Sequence, residues 1–194
     1  KSYFDWFYKQ GGGDWYGTAK DCSHPMPDFT NVNNRDRMLE AVKIVGALEF
    51  KADLSWLVKD SKKVLQKFKI KKPYCVIIPG SSPHKLSKRW SAEKYANLSN
   101  SLYELGITSY LAGTKIEKNI AMEVCTYSRA SEILVDKTSL EELAQIFANA
   151  QFIVGNDTGP TFLAARTGAP TLMIMGADTN PYMSSPTGSA AGFI

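Results

Sequence analysis

Apolar residues recur at two different spacings along this chain, and the change falls near residue 71. Met38, Leu39, Val42, Val45 and Leu48 lie at helical spacing, which predicts a helix opening at Asp36. Val58, Val64, Leu65 and Phe68 predict a second helix over 59–69, with its lysines turned outward. Beyond Lys71-Lys72-Pro73, short unbroken apolar runs take over. Residues 74–78, 107–112, 133–135, 152–154 and 171–175 predict five buried strands. Helical patterns separate them. Ser91 caps a helix whose inward face is Tyr95, Leu98, Leu102 and Leu105, and Gly106 closes it. Further helices are predicted over 116–127 and 159–167, and Ser139-Leu140-Glu141-Glu142 is a capping box opening another over 140–150. Before residue 35 no period is sustained. Gly11-Gly12-Gly13, scattered prolines and Asn31-Val32-Asn33-Asn34 predict a short helical stub and a long loop.

Strands alternating with helices make βαβ units. The predicted fold class is therefore α/β, a Rossmann-like parallel sheet with helices on both faces over 71–194, preceded by a helical and loop-rich part over 1–70. Composition excludes other classes: 44% hydrophobic and 22% charged residues in 194 rule against disorder, collagen repeats and a disulfide scaffold. A net charge of +4 favours anionic ligands or surfaces but is too small to diagnose nucleic-acid binding, and no nucleic-acid partner is predicted. Cys75 lies in an apolar run apart from Cys22 and Cys125, which predicts a buried thiol in a reducing compartment, the cytoplasm. Two histidines without clustered Cys or carboxylate neighbours predict no metal site, and no cofactor is predicted. The ends, Lys1 with a dense aromatic stretch and Gly192-Phe193-Ile194 without a closing helix, read as those of a piece of a longer chain.

In open α/β sheets, ligands bind outside the carboxyl ends of the strands, so the strand-to-helix turns hold the candidate chemistry. The sharpest is Gly155-Asn156-Asp157-Thr158-Gly159-Pro160-Thr161. Its helix start, with Thr158, Gly159 and Thr161, forms a phosphate cradle, and Asp157 beside it takes a sugar hydroxyl. The alternative is that Asp157 or Thr158 only caps a core helix. In the second turn, Pro79-Gly80-Ser81-Ser82 leaves backbone donors exposed, while Lys85, Lys88 and Arg89 bring charge that suits a diphosphate. The alternative there is a solvated basic loop with Trp90 packed on the sheet edge and His84 exposed. In the third, Gly113, Thr114 and Glu117 offer a carboxylate for a ribose diol, or Glu117 merely sits in the first turn of its helix. The fourth, Asp136-Lys137-Thr138, offers only backbone contacts to a base. A GxGxxG turn after the first strand, a Walker A loop, a GxSxG elbow and a DxD motif are all lacking, which disfavours a dehydrogenase, a P-loop enzyme, an α/β-hydrolase and a metal-held diphosphate.

Together, Pro79-Gly80-Ser81, Lys88-Arg89-Trp90-Ser91, Gly113-Thr114, Thr138-Ser139-Leu140-Glu141-Glu142-Leu143 and Gly155-Asn156-Asp157-Thr158-Gly159-Pro160 resemble glycosyltransferase family nine, the ADP-heptose:lipopolysaccharide heptosyltransferases of Gram-negative bacteria. The resemblance runs on through Met175-Gly176-Ala177-Asp178 and covers most of 36–185. It implies a GT-B architecture, with 1–70 as the end of an N-terminal acceptor domain and linker, and 71–194 as the nucleotide-sugar donor domain, incomplete at its C-terminus. It implies metal-independent, inverting transfer of heptose from ADP-heptose to a lipid A-core acceptor, in the cytoplasm or at the inner face of the inner membrane. Lys88, with Ser81, Ser82, Thr158, Gly159 and Thr161, would meet the donor phosphates, Asp157 the heptose, and Gly113, Thr114, Glu117 and Thr138 the nucleoside.

Two departures stand out. Phe162 occupies the histidine position of the family's Asp-Thr-Gly-x-x-His pattern. The family's general base, an aspartate early in the N-terminal domain, has no counterpart here, so this chain alone is expected to bind a nucleotide and transfer nothing. The runner-up reading is a non-catalytic nucleotide-sugar-binding module of the same fold. A reading of another class rests on Lys59, Lys62, Lys63, Lys67, Lys69, Lys71 and Lys72 as a basic face for anionic membrane, against the plainer solvated face of a linker helix.

Overall fold

A computed structural model describes residues 3–17, 22–26, 32–48, 54–59, 61–81, 87, 89–177 and 179–194. The chain folds as two units, Lys1–Lys51 and Ala52–Ile194. In the first, helix α1 (Tyr3–Lys9) precedes a two-residue parallel pairing of β1 (Tyr16–Gly17) with β2 (His24–Pro25), over which the Tyr16 and His24 rings stack at 4.3 Å. Helix α2 (Asn34–Ile44) starts earlier than its apolar period predicts, because the Asn33 side chain accepts the Arg35 amide and caps it. Its Met38, Val42 and Val45 are exposed.

The second unit opens with a 3-10 turn over Ser55–Val58 and helix α3 (Ser61–Lys67), in place of the single helix expected over 59–69. Six parallel strands follow: β3 (Tyr74–Ile78), β4 (Thr108–Leu111), β5 (Ser131–Ile133), β6 (Phe152–Asn156), β7 (Thr171–Ile174) and β8 (Ala191–Phe193). They lie in the order β5-β4-β3-β6-β7-β8. Helices α4 (Ala92–Glu104), α5 (Lys118–Tyr127), α6 (Leu140–Asn149), α7 (Gly159–Arg166) and the short α8 (Pro181–Ser184) join them. This is the predicted α/β class, a parallel sheet with helices on both faces.

Side-chain alternation sorts the two faces. Tyr74, Val76 and Ile78 of β3 point one way, with Tyr110 and Ile153, and pack on Val64 of α3, Ile146 and Phe147 of α6 and Ala164 of α7. Cys75 and Ile77 point the other way, with Leu111 and Val154, onto Tyr95 and Ala96 of α4 and Val124 of α5. Burial on both faces explains why the β3 run carries no polar alternation. It also pushes the Cys75 thiol up to about 11, so it stays protonated at neutral pH.

Three expectations are corrected. The strand expected at 133–135 runs two residues earlier, because pairing with β4 sets the ladder; Leu134 and Val135 are buried, but in the turn that follows. Leu105, expected inward, is 74% exposed, since it is the C-cap of α4 and the chain reverses at Gly106 with φ of 77°. A sixth strand, β8, was not expected. Ala191-Gly192-Phe193 has no apolar run and forms an edge by pairing with β7. An apolar cavity of about 430 Å³ lies against β6 and β7 on the α4 face, lined by Trp90, Leu98, Phe152, Leu172 and Ile174.

Candidate functional site at the carboxyl edge of the sheet

The chain leaves β3 for β4 and β5 on one side and returns to β6, β7 and β8 on the other. Between β3 and β6 the strand order reverses, the place where open α/β sheets form a crevice at the carboxyl ends of their strands. The backbone ladder between them ends at Ile78 paired with Gly155.

Asn156, fully buried at the end of β6, spans the gap. Its Nδ2 donates to the Pro79 and Gly80 carbonyls at 2.8 and 3.2 Å, and its Oδ1 accepts from the Trp90 amide at 3.0 Å and the Tyr95 hydroxyl at 2.9 Å. Desolvation raises the Tyr95 pKa, which keeps that hydroxyl a donor. Trp90 meets Tyr95 edge-on at 5.0 Å. The Arg89 guanidinium donates to Ser81 Oγ at 3.0 Å and to the Ser81 carbonyl at 3.1 Å. Arg89, read from the sequence as charge for a diphosphate, is thus committed to the backbone and hydroxyl of its own loop. Ser81 itself is buried.

The 155–161 turn is divided in its uses. Asp157 and Thr158 are half-buried, and Gly159 is exposed with nothing within 4 Å of where a Cβ would stand. Asp157 accepts from the Thr179 hydroxyl at 3.2 Å. Thr158 occupies the N-cap position of α7, yet its hydroxyl makes no capping bond, leaving it for another acceptor. Thr161 is a correction. Its hydroxyl is buried and donates to the Asn156 carbonyl at 2.8 Å, and its amide bonds the Thr158 carbonyl at 3.0 Å, so it offers nothing to a phosphate. Gly155 is hemmed in by the protein: a Cβ there would stand 2.5 Å from Thr161 Oγ1 and 2.8 Å from Ile78 Cβ.

Glu117 closes a capping box, its Oε2 accepting from the Thr114 amide at 2.7 Å and the Thr114 hydroxyl at 2.6 Å. Its helical-turn role is therefore real, and Oε1 is the atom left for a ligand. The same side chain leans over Gly80 and Gly113, where a Cβ on either would collide with it. The turn after β5 is tied to this one by the Asp136 amide, which donates to the Gly113 carbonyl at 3.0 Å; Asp136 takes a positive φ of 62° to do so, and Thr138 is half-buried beyond it. The parallel sheet thus gathers Ser81, Gly113, Thr114, Glu117, Thr138, Asp157, Thr158 and Gly159 on one edge. Ser82, His84, Lys85 and Lys88 lie outside the described residues. Among the described residues, no group of three His, Cys, Asp or Glu side chains could hold a metal. Nor, among those residues, is any helix long and apolar enough to cross a membrane. Within the lysine run, Lys67 pairs with Glu142 and Lys72 donates to Asn149.

Asn156, Tyr95 and Trp90 were missed as site-building residues. A polar side chain closing an otherwise apolar strand at a switch point was the available signal.

Open α/β folds place their ligands at such a switch point. Residues 20–193 match glycosyltransferase family 9 (heptosyltransferase), and the chain belongs to that family. No curated protein matches it significantly. Among solved structures, the chain is similar to a glycosyl transferase family 9 protein of Veillonella parvula at TM-score 0.75 and 17% identity, over 96% of this chain and 58% of that one. It is similar to E. coli ADP-heptose lps heptosyltransferase II at TM-score 0.74 and 18% identity, over 97% and 63%. E. coli heptosyltransferase WaaC with ADP follows at TM-score 0.63 and 21% identity, over 89% and 53%. The chain spans about three fifths of the length of the first two, and at these identities the likeness concerns the fold.

Proposed function

We propose that this chain supplies the nucleotide-sugar side of a metal-independent, inverting heptosyltransferase that moves heptose from ADP-heptose to an inner-core lipopolysaccharide acceptor. One observation supports the reading: in a family 9 chain, the turn after β3 is met from one side by Asn156, which opens the 157–159 turn, and from the other by Glu117 lying against Gly80. In the reaction, an acceptor hydroxyl attacks the anomeric carbon from the face opposite the diphosphate. The bond from that carbon to the phosphate oxygen breaks, and ADP leaves with the electron pair. The Thr158 hydroxyl and the amides at the α7 start would stabilise the developing charge, with Ser82 and Lys88 on the opposing turn; Ser81, buried and bonded to Arg89, would hold that turn in place. Asp157 would hold a heptose hydroxyl. Gly113, Thr114, Glu117 Oε1 and Thr138 would line the nucleoside. By the family resemblance, the proton acceptor for the attacking hydroxyl belongs to the N-terminal domain.

Calorimetry with ADP, ADP-heptose and a UDP-sugar tests this. The adenine nucleotides should bind and the UDP-sugar more weakly. Asp157→Ala should cost ADP-heptose about ten-fold in affinity, the worth of a charge-assisted hydrogen bond, and ADP much less. No heat with any of the three would overturn the reading. Phe162 favours a second one, a nucleotide-sugar binder without transferase activity, since its ring supplies no donor to a phosphate. Binding without transfer by an enzyme that includes the N-terminal domain would favour it.

A further inference from the structure

We infer that Asn156 is a positioning residue whose single buried carboxamide holds the turns after β3 and β6 in fixed register, so that both sides of the nucleotide crevice are set before a ligand arrives. The starting point is the end of the backbone ladder between β3 and β6, whose last pair is Ile78 with Gly155. The side chain of Asn156 takes over, carrying two donated bonds to the carbonyls of Pro79 and Gly80 where the ladder stops.

The chemistry of the four partners fixes the orientation of the amide. Two backbone carbonyls can only accept, so Nδ2 faces them; the Trp90 amide can only donate, so Oδ1 faces it. Oδ1 takes its second bond from Tyr95 on α4. A carboxamide is the side chain that offers a double donor and an acceptor from one short planar group. Leucine or alanine would orphan all four partners in a site with no water access, and aspartate would aim an oxygen at two carbonyl oxygens. The residue's own backbone is held as well, because its carbonyl accepts from the Thr161 hydroxyl of α7 and Gly155 before it admits no side chain. Arg89 adds a second tie, from beside Trp90 back to Ser81.

The consequence for the site is direct. Asp157 and Thr158 follow Asn156 in the chain, and Gly80 is the surface on which the Glu117 side chain lies. A shift at the carboxamide would move both the sugar-facing and the nucleoside-facing groups. This assignment to nucleotide binding rests on the function proposed above; the register itself does not.

The test uses the full chain with ADP as probe, comparing Asn156→Asp and Asn156→Ala with Tyr74→Phe. Tyr74 is buried at the opposite end of β3 and donates to the Ile146 carbonyl at 2.6 Å, so its loss lowers Tm without touching the crevice. Both Asn156 variants should weaken ADP by about ten-fold or more, while Tyr74→Phe stays within about two-fold. Amide exchange should quicken at Trp90, whose N–H bonds the carboxamide oxygen, in the Asn156 variants only. Should those variants fail to fold, Tyr95→Phe removes one of the four bonds and should quicken exchange at Trp90 to a smaller degree. Wild-type protection of the Trp90 amide in the folded variants, or ADP weakened equally by Tyr74→Phe at matched Tm, would overturn the inference. Wild-type chain that gives no heat with ADP would count against the donor reading alone, and exchange would then decide the positioning role.

Discussion

At the scale of single residues, the glycines at the sheet edge work by vacating space. Gly80, Gly113 and Gly155 all lack the positive φ that would demand glycine for its backbone. At Gly80 and Gly113 the space is filled by Glu117, and at Gly155 by Thr161 and Ile78. Replacing Gly80 by alanine should therefore push Glu117 aside and open the Thr114–Glu117 box. We expect a stability loss of about 1 kcal/mol from the opened cap, read by urea melts, together with several-fold weaker ADP binding, read by calorimetry. Unchanged affinity would show that Glu117 serves its helix alone. The glycines were legible in the sequence as members of the turn motifs. That the approaching group is the protein's own carboxylate was not, because Glu117 lies 37 positions from Gly80.

At the scale of elements, local signals read well where the physics is local. The box at Ser139 and Glu142 has both its bonds, Ser139 Oγ accepting the Glu142 amide at 3.1 Å and Glu142 Oε2 accepting the Ser139 amide at 3.0 Å. Ser139→Ala should cost about 1 kcal/mol in chemical denaturation, with little effect on nucleotide affinity. A cap involves only the four residues that spell it, so sequence suffices. Strand ends behave differently. The ladder of β5 is cut by its pairing with β4, and β8 exists because β7 presents an edge to it. Hydrophobicity reported burial at Leu134 and Val135 correctly but not which residues carry the ladder.

At the scale of the whole second unit, distant charges meet across the fold. Lys67 of α3 and Glu142 of α6 pair at 2.6 Å, although 75 residues separate them. The Lys67 hydrogen bond, followed by that from the Ser139 amide, lowers the Glu142 pKa from its ordinary 4.5. A lowered folded-state pKa means the contribution is present above the unfolded value and is lost as pH falls through the folded one. Tm should therefore decline below about pH 4.5, and Glu142→Gln should make that decline shallower. Because the lysine is largely exposed, the effect should be small and should shrink with added salt. A variant with the wild-type pH profile would remove this pair as a source of the acid sensitivity.

The sequence by itself determined the α/β class, the alternation of the first five sheet strands with helices, the caps at Ser91 and Ser139 and the family, because periodicity, capping and motif spacing are properties of short stretches. It also marked the turns that share the carboxyl edge, since parallel strands put all their carboxyl ends there. Tertiary structure decided which groups at that edge remain available: Thr161 and Arg89 are committed to the protein, one oxygen of Glu117 is spent on its cap, and Thr158 keeps its hydroxyl. It also revealed Asn156 as the bridge between the two central turns. Hydrogen-bond partners far apart in the chain are chosen by strand order and register, and those are fixed only when the sheet has assembled.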